Sequence, residues 1–176
     1  ATLSNDCCGG FIDPLSGETA AASDDTEFTS SAGLVQSTSS SVDLRGEVTV
    51  NQGSRRIVNS GSDDSATTTL DRDANTVRMR GDVAFREPGI LLRGDEAFID
   101  SERGRNTVNS AHYVLHESGI HGEAQRIDYD SESGVITLDN GKFSRCEPGN
   151  EFWVLRANAF ELDQAVGRGR ATAMSL

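Results

Sequence analysis

The chain has 176 residues, a formal net charge of −12, an apolar fraction of only 35% and aromatics at 6%. That charge argues against nucleic-acid binding, which needs Lys/Arg-rich surfaces to neutralise phosphates, and against docking on anionic headgroups through a basic patch. The length fits one domain with a short leader, the low apolar fraction asks for a thin, elongated core, and no apolar run nears the ~18 residues of a spanning helix.

Residues 1–25 read as a flexible, cysteine-bearing leader from which no signal peptide remains, and 26–176 as the folded domain. The segment from Thr19 to Ser41 is rich in Ser, Thr and Ala and holds one expected strand, around Glu27 to Gln36. Four turn signals then recur: Gln52-Gly53, Pro88-Gly89, Ser118-Gly119 and Pro148-Gly149, whose glycines lie 36, 30 and 30 residues apart. A fixed period of this size marks stacked supersecondary units. A short run of β-formers precedes each turn (Glu47–Val50, Asp82–Phe85, His112–Leu115, Lys142–Arg145), and longer strands end at Asp71, Asp100, Asp130 and Asp163. Those aspartates read as turn formers. A polar turn then leads to a third short strand, such as Asn75–Met79 or Gly134–Leu138. Short strands at such regular spacing predict an all-β roll, sandwich or barrel, and no capped period of 3.6 residues predicts a helix. The chain stops about one period beyond Phe143, where a further strand is expected, so a larger protein is expected to continue past Leu176.

The long strands share a finer pattern. Apolar or small residues fall at offsets 0, 2, 5 and 7 in Leu92, Gly94, Ala97, Ile99; in Gly122, Ala124, Ile127, Tyr129; and in Leu155, Ala157, Phe160, Leu162. Strict alternation has period two, so the extra residue beside a small side chain marks a bulge or bend. Each long strand is expected to turn a corner and line the interior with both halves, giving a roll with open edges at both ends.

Three cysteines stand at Cys7, Cys8 and Cys146. Adjacent cysteines pair poorly with each other. A bridge from the leader to Cys146 would contribute about 5 kcal/mol by loop entropy; pairing with cysteines elsewhere in a longer chain is the other option. With no Cys-x-x-Cys spacing zinc is not expected, and an oxidising compartment is. His112, His116 and His121 near the Ser118-Gly119 turn read as surface residues rather than metal ligands, and Asp63, Asp64, Asp71 and Asp73 lack a calcium-loop spacing. No nucleophile elbow, phosphate loop or zincin motif occurs, so no metal, cofactor or catalytic residue is assigned and an enzyme is not expected.

Four segments carry a family resemblance: Arg80-Gly81-Asp82-Val83, Arg93-Gly94-Asp95-Glu96-Ala97, Lys142-Phe143-Ser144-Arg145-Cys146-Glu147-Pro148, and Trp153-Val154-Leu155-Arg156-Ala157. The run from Leu44 to Leu176 resembles the periplasmic N-terminal domain of the LPS-assembly proteins of the LptD (OstA) family. The third segment looks like that family's aromatic-x-x-Cys-x-Pro element preceding a Trp. The leader, Cys7 to Pro14, resembles the mature start of gammaproteobacterial members.

The resemblance implies a β-jellyroll (β-taco) that receives lipopolysaccharide from a periplasmic bridge protein of the LptA kind and guides it to the outer membrane. It also implies a C-terminal membrane β-barrel plugged by the lipoprotein LptE. Cys146 corresponds to a cysteine expected to pair with the barrel, and Cys7 or Cys8 to another, the doublet leaving open which one bonds. Exposing one acyl chain of about a dozen carbons to water costs on the order of 10 kcal/mol, so a lipid conduit needs a continuous apolar groove. Val83, Phe85, Tyr113, Leu115, Phe143, Leu155, Phe160 and Leu162 are the candidate lining. A closed sandwich core has the same pattern, so each of them also reads as core. The edge around Glu27 to Gln36 is the expected docking face for the bridge, by β-augmentation. The alternatives are a free-standing LptA-like bridge protein and a carbohydrate-active β-solenoid, the latter lacking paired acidic residues at consistent repeat positions.

Overall fold

The structure, a computed structural model, describes residues 26–30, 34–61, 66–116, 119–146, 152–163 and 165–175. They form thirteen strands: β1 (Thr26–Ser30), β2 (Leu34–Ser37), β3 (Ser41–Arg45), β4 (Val48–Gln52), β5 (Arg55–Asn59), β6 (Thr67–Asp71), β7 (Thr76–Glu87), β8 (Ile90–Asp100), β9 (Arg105–Leu115), β10 (Ile120–Asp130), β11 (Val135–Ser144), β12 (Leu155–Asp163) and β13 (Arg168–Thr172). There is no helix among the described residues. The pairing is antiparallel throughout, and β7 to β13 follow one another in strict order, the meander expected of stacked repeats. The fold is an all-β jellyroll with open edges at β1, β2 and β13.

Two sequence expectations are corrected. The short strands on either side of each corner are not separate: Asn75–Met79, from Thr76 on, and Asp82–Phe85 fall within the single strand β7, and Gly134–Leu138 with Lys142–Arg145 largely within β11. A left-handed residue lets the strand bend without ending. Gly81 (φ 138°), Ser110 (φ 51°) and Asn140 (φ 48°) occupy that place in β7, β9 and β11. The stretch around Glu27 to Gln36 is not one strand either, since β1 pairs with β4 while β2 pairs with β3, in different parts of the sheet.

Bending brings the two halves of each long strand face to face, and the 0, 2, 5, 7 offsets fall on the inside. Ala97, Ile99, Ala124, Ile127, Tyr129, Ala157 and Phe160 are all buried. Because the strands pair in register, inward residues line up in rows across them, and directly opposed side chains share a face. One row runs Phe28, Val50, Ile57, Phe85, Leu92, Tyr113, Gly122, Phe143, Leu155. A second, on the other half, runs Val42, Leu70, Val77, Ile99, Asn106, Tyr129, Ile136, Leu162. Beside the second lies Leu44, Thr68, Met79, Ala97, Val108, Ile127, Leu138, Phe160. The rows meet across the interior, where Phe85 meets Tyr129 edge to face at 6.2 Å and Phe143 meets Phe160 at 5.2 Å. Each large side chain so buried contributes about 1.5–3 kcal/mol.

The aspartates at strand ends act as the sequence suggests. Asp71 Oδ1 accepts from the backbone N–H of Asp73 and Ala74, Asp130 Oδ1 from those of Glu132 and Ser133, Asp100 Oδ1 from that of Arg103, and Asp163 Oδ1 from that of Val166. The Arg103 guanidinium, followed by its backbone N–H, holds the Asp100 carboxyl below its ordinary range, and the backbone N–H of Ser133 does the same for Asp130.

A depressed folded-state pKa contributes stability that is complete above the unfolded value and lost as pH falls through the folded one. Thermal melts should therefore show a midpoint that drops on acidification below about pH 4, with a shallower drop in a variant combining Asp100→Asn and Asp130→Asn. At Gly81 an added Cβ would lie 2.6 Å from Asn59 Oδ1 and 3.2 Å from the Ala66 Cα, in a conformation L-residues avoid. Gly81→Ala is expected to cost about 1–3 kcal/mol, read by chemical denaturation.

Candidate functional site

The sheet forks at β7. Its first half, from Thr76 to Arg80, pairs with β6, and its second half, from Val83 to Arg86, pairs with β5. Beyond the fork, β6–β3–β2 and β5–β4–β1 run on as two leaves. Between them lies a cavity of about 790 Å³, within the size range of small-molecule sites. Val42, Leu44 and Leu70 line it from one leaf, Phe28, Val50 and Ile57 from the other, and Val77 and Ile99 from β7 and β8. Arg55, Arg72, Asp71 and Asn75 add polar groups. The first two rows of the core thus begin as the walls of this mouth.

Inward of the mouth a polar clasp joins the two halves. The Tyr129 hydroxyl donates to Glu87 Oε2 at 3.0 Å across the interior, and Arg55 Nε donates to Glu87 Oε1 at 2.5 Å. The Arg55 guanidinium also lies 5.6 Å from the Phe85 ring centroid. Burial, with the Glu87 charge second, pushes the Tyr129 hydroxyl up to about 12, so it remains a protonated donor at neutral pH. An aliphatic and aromatic interior therefore carries one fixed ion pair near its entrance.

Of the candidate lining residues, Val83, Phe85, Tyr113, Leu115 and Phe160 are fully buried in the core, and Phe143, Leu155 and Leu162 are half-buried against it. Phe85, Tyr113, Phe143 and Leu155 share one row, while Leu162 and Phe160 belong to the two opposing rows. Gly122 leaves a gap in the first row, where a side chain would collide with the Lys142 carbonyl. The adjacent Tyr113 donates its hydroxyl to that same carbonyl at 3.2 Å. The mouth itself, including Val50, Ile57 and Leu70, was not among the candidates. Alternation in Val48-Thr49-Val50 and Val42-Asp43-Leu44 signals inward faces, but the split of β7 that separates them leaves no mark in sequence.

At the far end, the third and fourth segments of the resemblance come together, while the first two lie in β7 and β8. Phe143 packs edge to face on Trp153 at 5.8 Å, and Ser144 Oγ donates to the Trp153 carbonyl at 2.9 Å and accepts from the Cys146 N–H at 3.0 Å. Cys146 is fully buried, and its carbonyl lies 2.7 Å from His121 Nε2. Cys7, Cys8 and the pair Asp63-Asp64 lie outside the described residues. His112 faces Glu123 at 3.6 Å, and no three His, Cys, Asp or Glu side chains gather at metal-binding distance among the described residues.

The LptA/(LptD N-terminal domain) LPS transport protein family matches residues 64–168. The chain belongs to this family. It is 31% identical over 172 residues to the LPS-assembly protein LptD of Saccharophagus degradans, covering 97% of this chain and 19% of that protein. It is 34% identical over 133 residues to the LPS-assembly protein LptD of Pseudomonas savastanoi pv. phaseolicola, covering 76% of this chain and 14% of that one. The chain thus spans under a fifth of the length of these relatives. Its fold is similar to that of LptH, the LptA homologous periplasmic component from Pseudomonas aeruginosa, with a TM-score of 0.55 and 18% identity over 65% of this chain and 82% of that one.

The clasp yields a thermodynamic expectation. Tyr129→Phe should destabilise the chain by about 1–2 kcal/mol. A double-mutant cycle with Glu87→Gln, followed by urea denaturation, should return a coupling of about 1 kcal/mol; additivity would mean that no such clasp operates.

Proposed function

We propose that this chain is the periplasmic domain of an outer-membrane lipopolysaccharide translocon, which takes LPS from a periplasmic bridge protein and guides its acyl chains along the interior of the jellyroll. The observation that carries the reading is the forked mouth: an apolar cavity continuous in register with core rows that cross the strands along the stack. Acyl chains enter between the leaves and follow the rows past Phe85, Tyr113 and Phe143, displacing packed side chains as they go. Val83, Leu115, Leu155, Phe160 and Leu162 complete the lining. The core closes behind the lipid, because Phe85, Leu92 and Leu138 are fully buried among the chain's own apolar side chains.

The ends supply the partners. Edge strands β1 and β2 flank the mouth with unpaired backbone, and a bridge protein of the LptA kind docks there by strand addition. At the other end β13 is exposed along its whole length, and Phe152, Val166 and Met174 present apolar side chains to solvent. That surface faces the protein's own C-terminal barrel, which holds the lipoprotein LptE. Residues 1–25 act as the cysteine-bearing leader and 26–176 as one jellyroll unit. Cys146 and one of Cys7 and Cys8 staple the jellyroll to the barrel in the oxidising periplasm.

In-cell photo-crosslinking in the full-length protein tests this. Photoreactive residues at Val50, Phe85 and Phe160 should each give an LPS adduct, with none at exposed Arg105. A folded, assembled protein without adducts at any interior position would make the domain a docking scaffold with a closed core.

A further inference from the structure

The second row of the core is apolar along its length apart from the Tyr129 hydroxyl and one residue, Asn106. Asn106 is 2% exposed, and neither its Nδ2 nor its Oδ1 meets a hydrogen-bond partner among the described residues. Its register partners are Ile99, which lines the mouth cavity, and Tyr129, whose hydroxyl is engaged by Glu87. The amide therefore stands one strand inward of the mouth, beside the clasp. Buried amides without partners are rare, because folding strips their water and returns nothing. Asn59, the other fully buried asparagine among the described residues, leaves only its Oδ1 without a partner: its Nδ2 donates to the carbonyls of Thr67 and Arg80 and so ties the fork together, whereas Asn106 is unmet at both ends.

We propose that Asn106 is a ligand-reading position, hydrogen-bonding a hydroxyl or amide group carried on an acyl chain lodged in the interior. Resting on the lipid-conduit reading above, this names the chemistry the conduit selects. A hydroxyl both donates and accepts, so it satisfies both ends of the carboxamide; an ester oxygen satisfies only Nδ2, and plain hydrocarbon satisfies neither. The interior thereby distinguishes acyl chains bearing hydroxyl or amide groups near their polar end from unsubstituted ones such as those of ordinary phospholipids. A position serving only the fold would favour an aliphatic residue, as at Ile99 and Ile136 in the same row.

The test is displacement of a dansyl-labelled fatty acid from the 176-residue chain by myristic acid and by β-hydroxymyristic acid. The hydroxylated acid should bind about tenfold more tightly, the worth of roughly one to two net hydrogen bonds. In Asn106→Leu, and independently in Asn106→Val, that preference should vanish while myristic acid binds at least as well as before. The thermal midpoint of at least one of these variants should equal or exceed that of the parent. Equal affinities in the parent, or a preference that survives in both variants, would overturn the inference while leaving the conduit reading intact. So would a lower midpoint in both, since it would give Asn106 a structural partner. If neither acid displaced the probe and the probe itself did not bind, the conduit reading would fail and this inference with it.

Discussion

In-register stacking of inward side chains across successive strands is the constraint on which the rest of this structure depends. Each row crosses many strands, so burying one residue requires its neighbours on both sides to be in register. A one-residue slip would turn a strand's whole inward set to solvent. The ~30-residue period serves that requirement. From β7 to β12 the strands keep a length of 9 to 12 residues, and every second one places a left-handed residue at its corner, so Gly81, Ser110 and Asn140 occupy equivalent places in β7, β9 and β11. A core only a few side chains thick is enough because it is continuous along the stack, which explains how a chain with 35% apolar residues folds at all.

The fork at β7 turns that core into something with an entrance. Where β7 pairs with β6 on one half and β5 on the other, the rows continue on separate leaves and no longer pack fully against each other. The cavity is the space they leave. The Tyr129–Glu87–Arg55 clasp lies just inside, where the halves come back into contact. Apolar contacts among the rows are non-directional and exchangeable for contacts with hydrocarbon. Hydrogen bonds are directional, and here they tie the two halves together across the interior.

The turns show a division of labour between backbone and side chain. The strand-end aspartates satisfy backbone N–H groups within a few residues, a local interaction that sequence proximity guarantees. The Phe143–Trp153 contact and the Ser144 hydrogen bonds are local too, and they cap the far end of the first row with an aromatic pair.

How far these features were legible in the sequence follows from their range. The turn glycines Gly53, Gly89 and Gly119, the aspartate-capped turns and the inward set Leu92, Ala97, Ile99, Ile127, Tyr129, Phe160 are written in short spacings, because pleat and turn geometry act over a few residues; the Pro148-Gly149 turn lies outside the described residues. The all-β class and the burial of Phe85, Tyr113 and Leu115 followed from them. Separate short strands were expected where β7 and β11 run on through a corner, since a left-handed residue looks like a terminus until its flanking halves are paired. The stretch from Glu27 to Gln36 likewise looked like one strand, because its two destinations, β4 and β3, lie elsewhere in the chain. The mouth, the clasp between residues 42 positions apart and the isolation of Asn106 were decided only by the tertiary structure. Each depends on which distant strand lies opposite, and pairing across a fork is a property of the assembled sheet that no local pattern encodes.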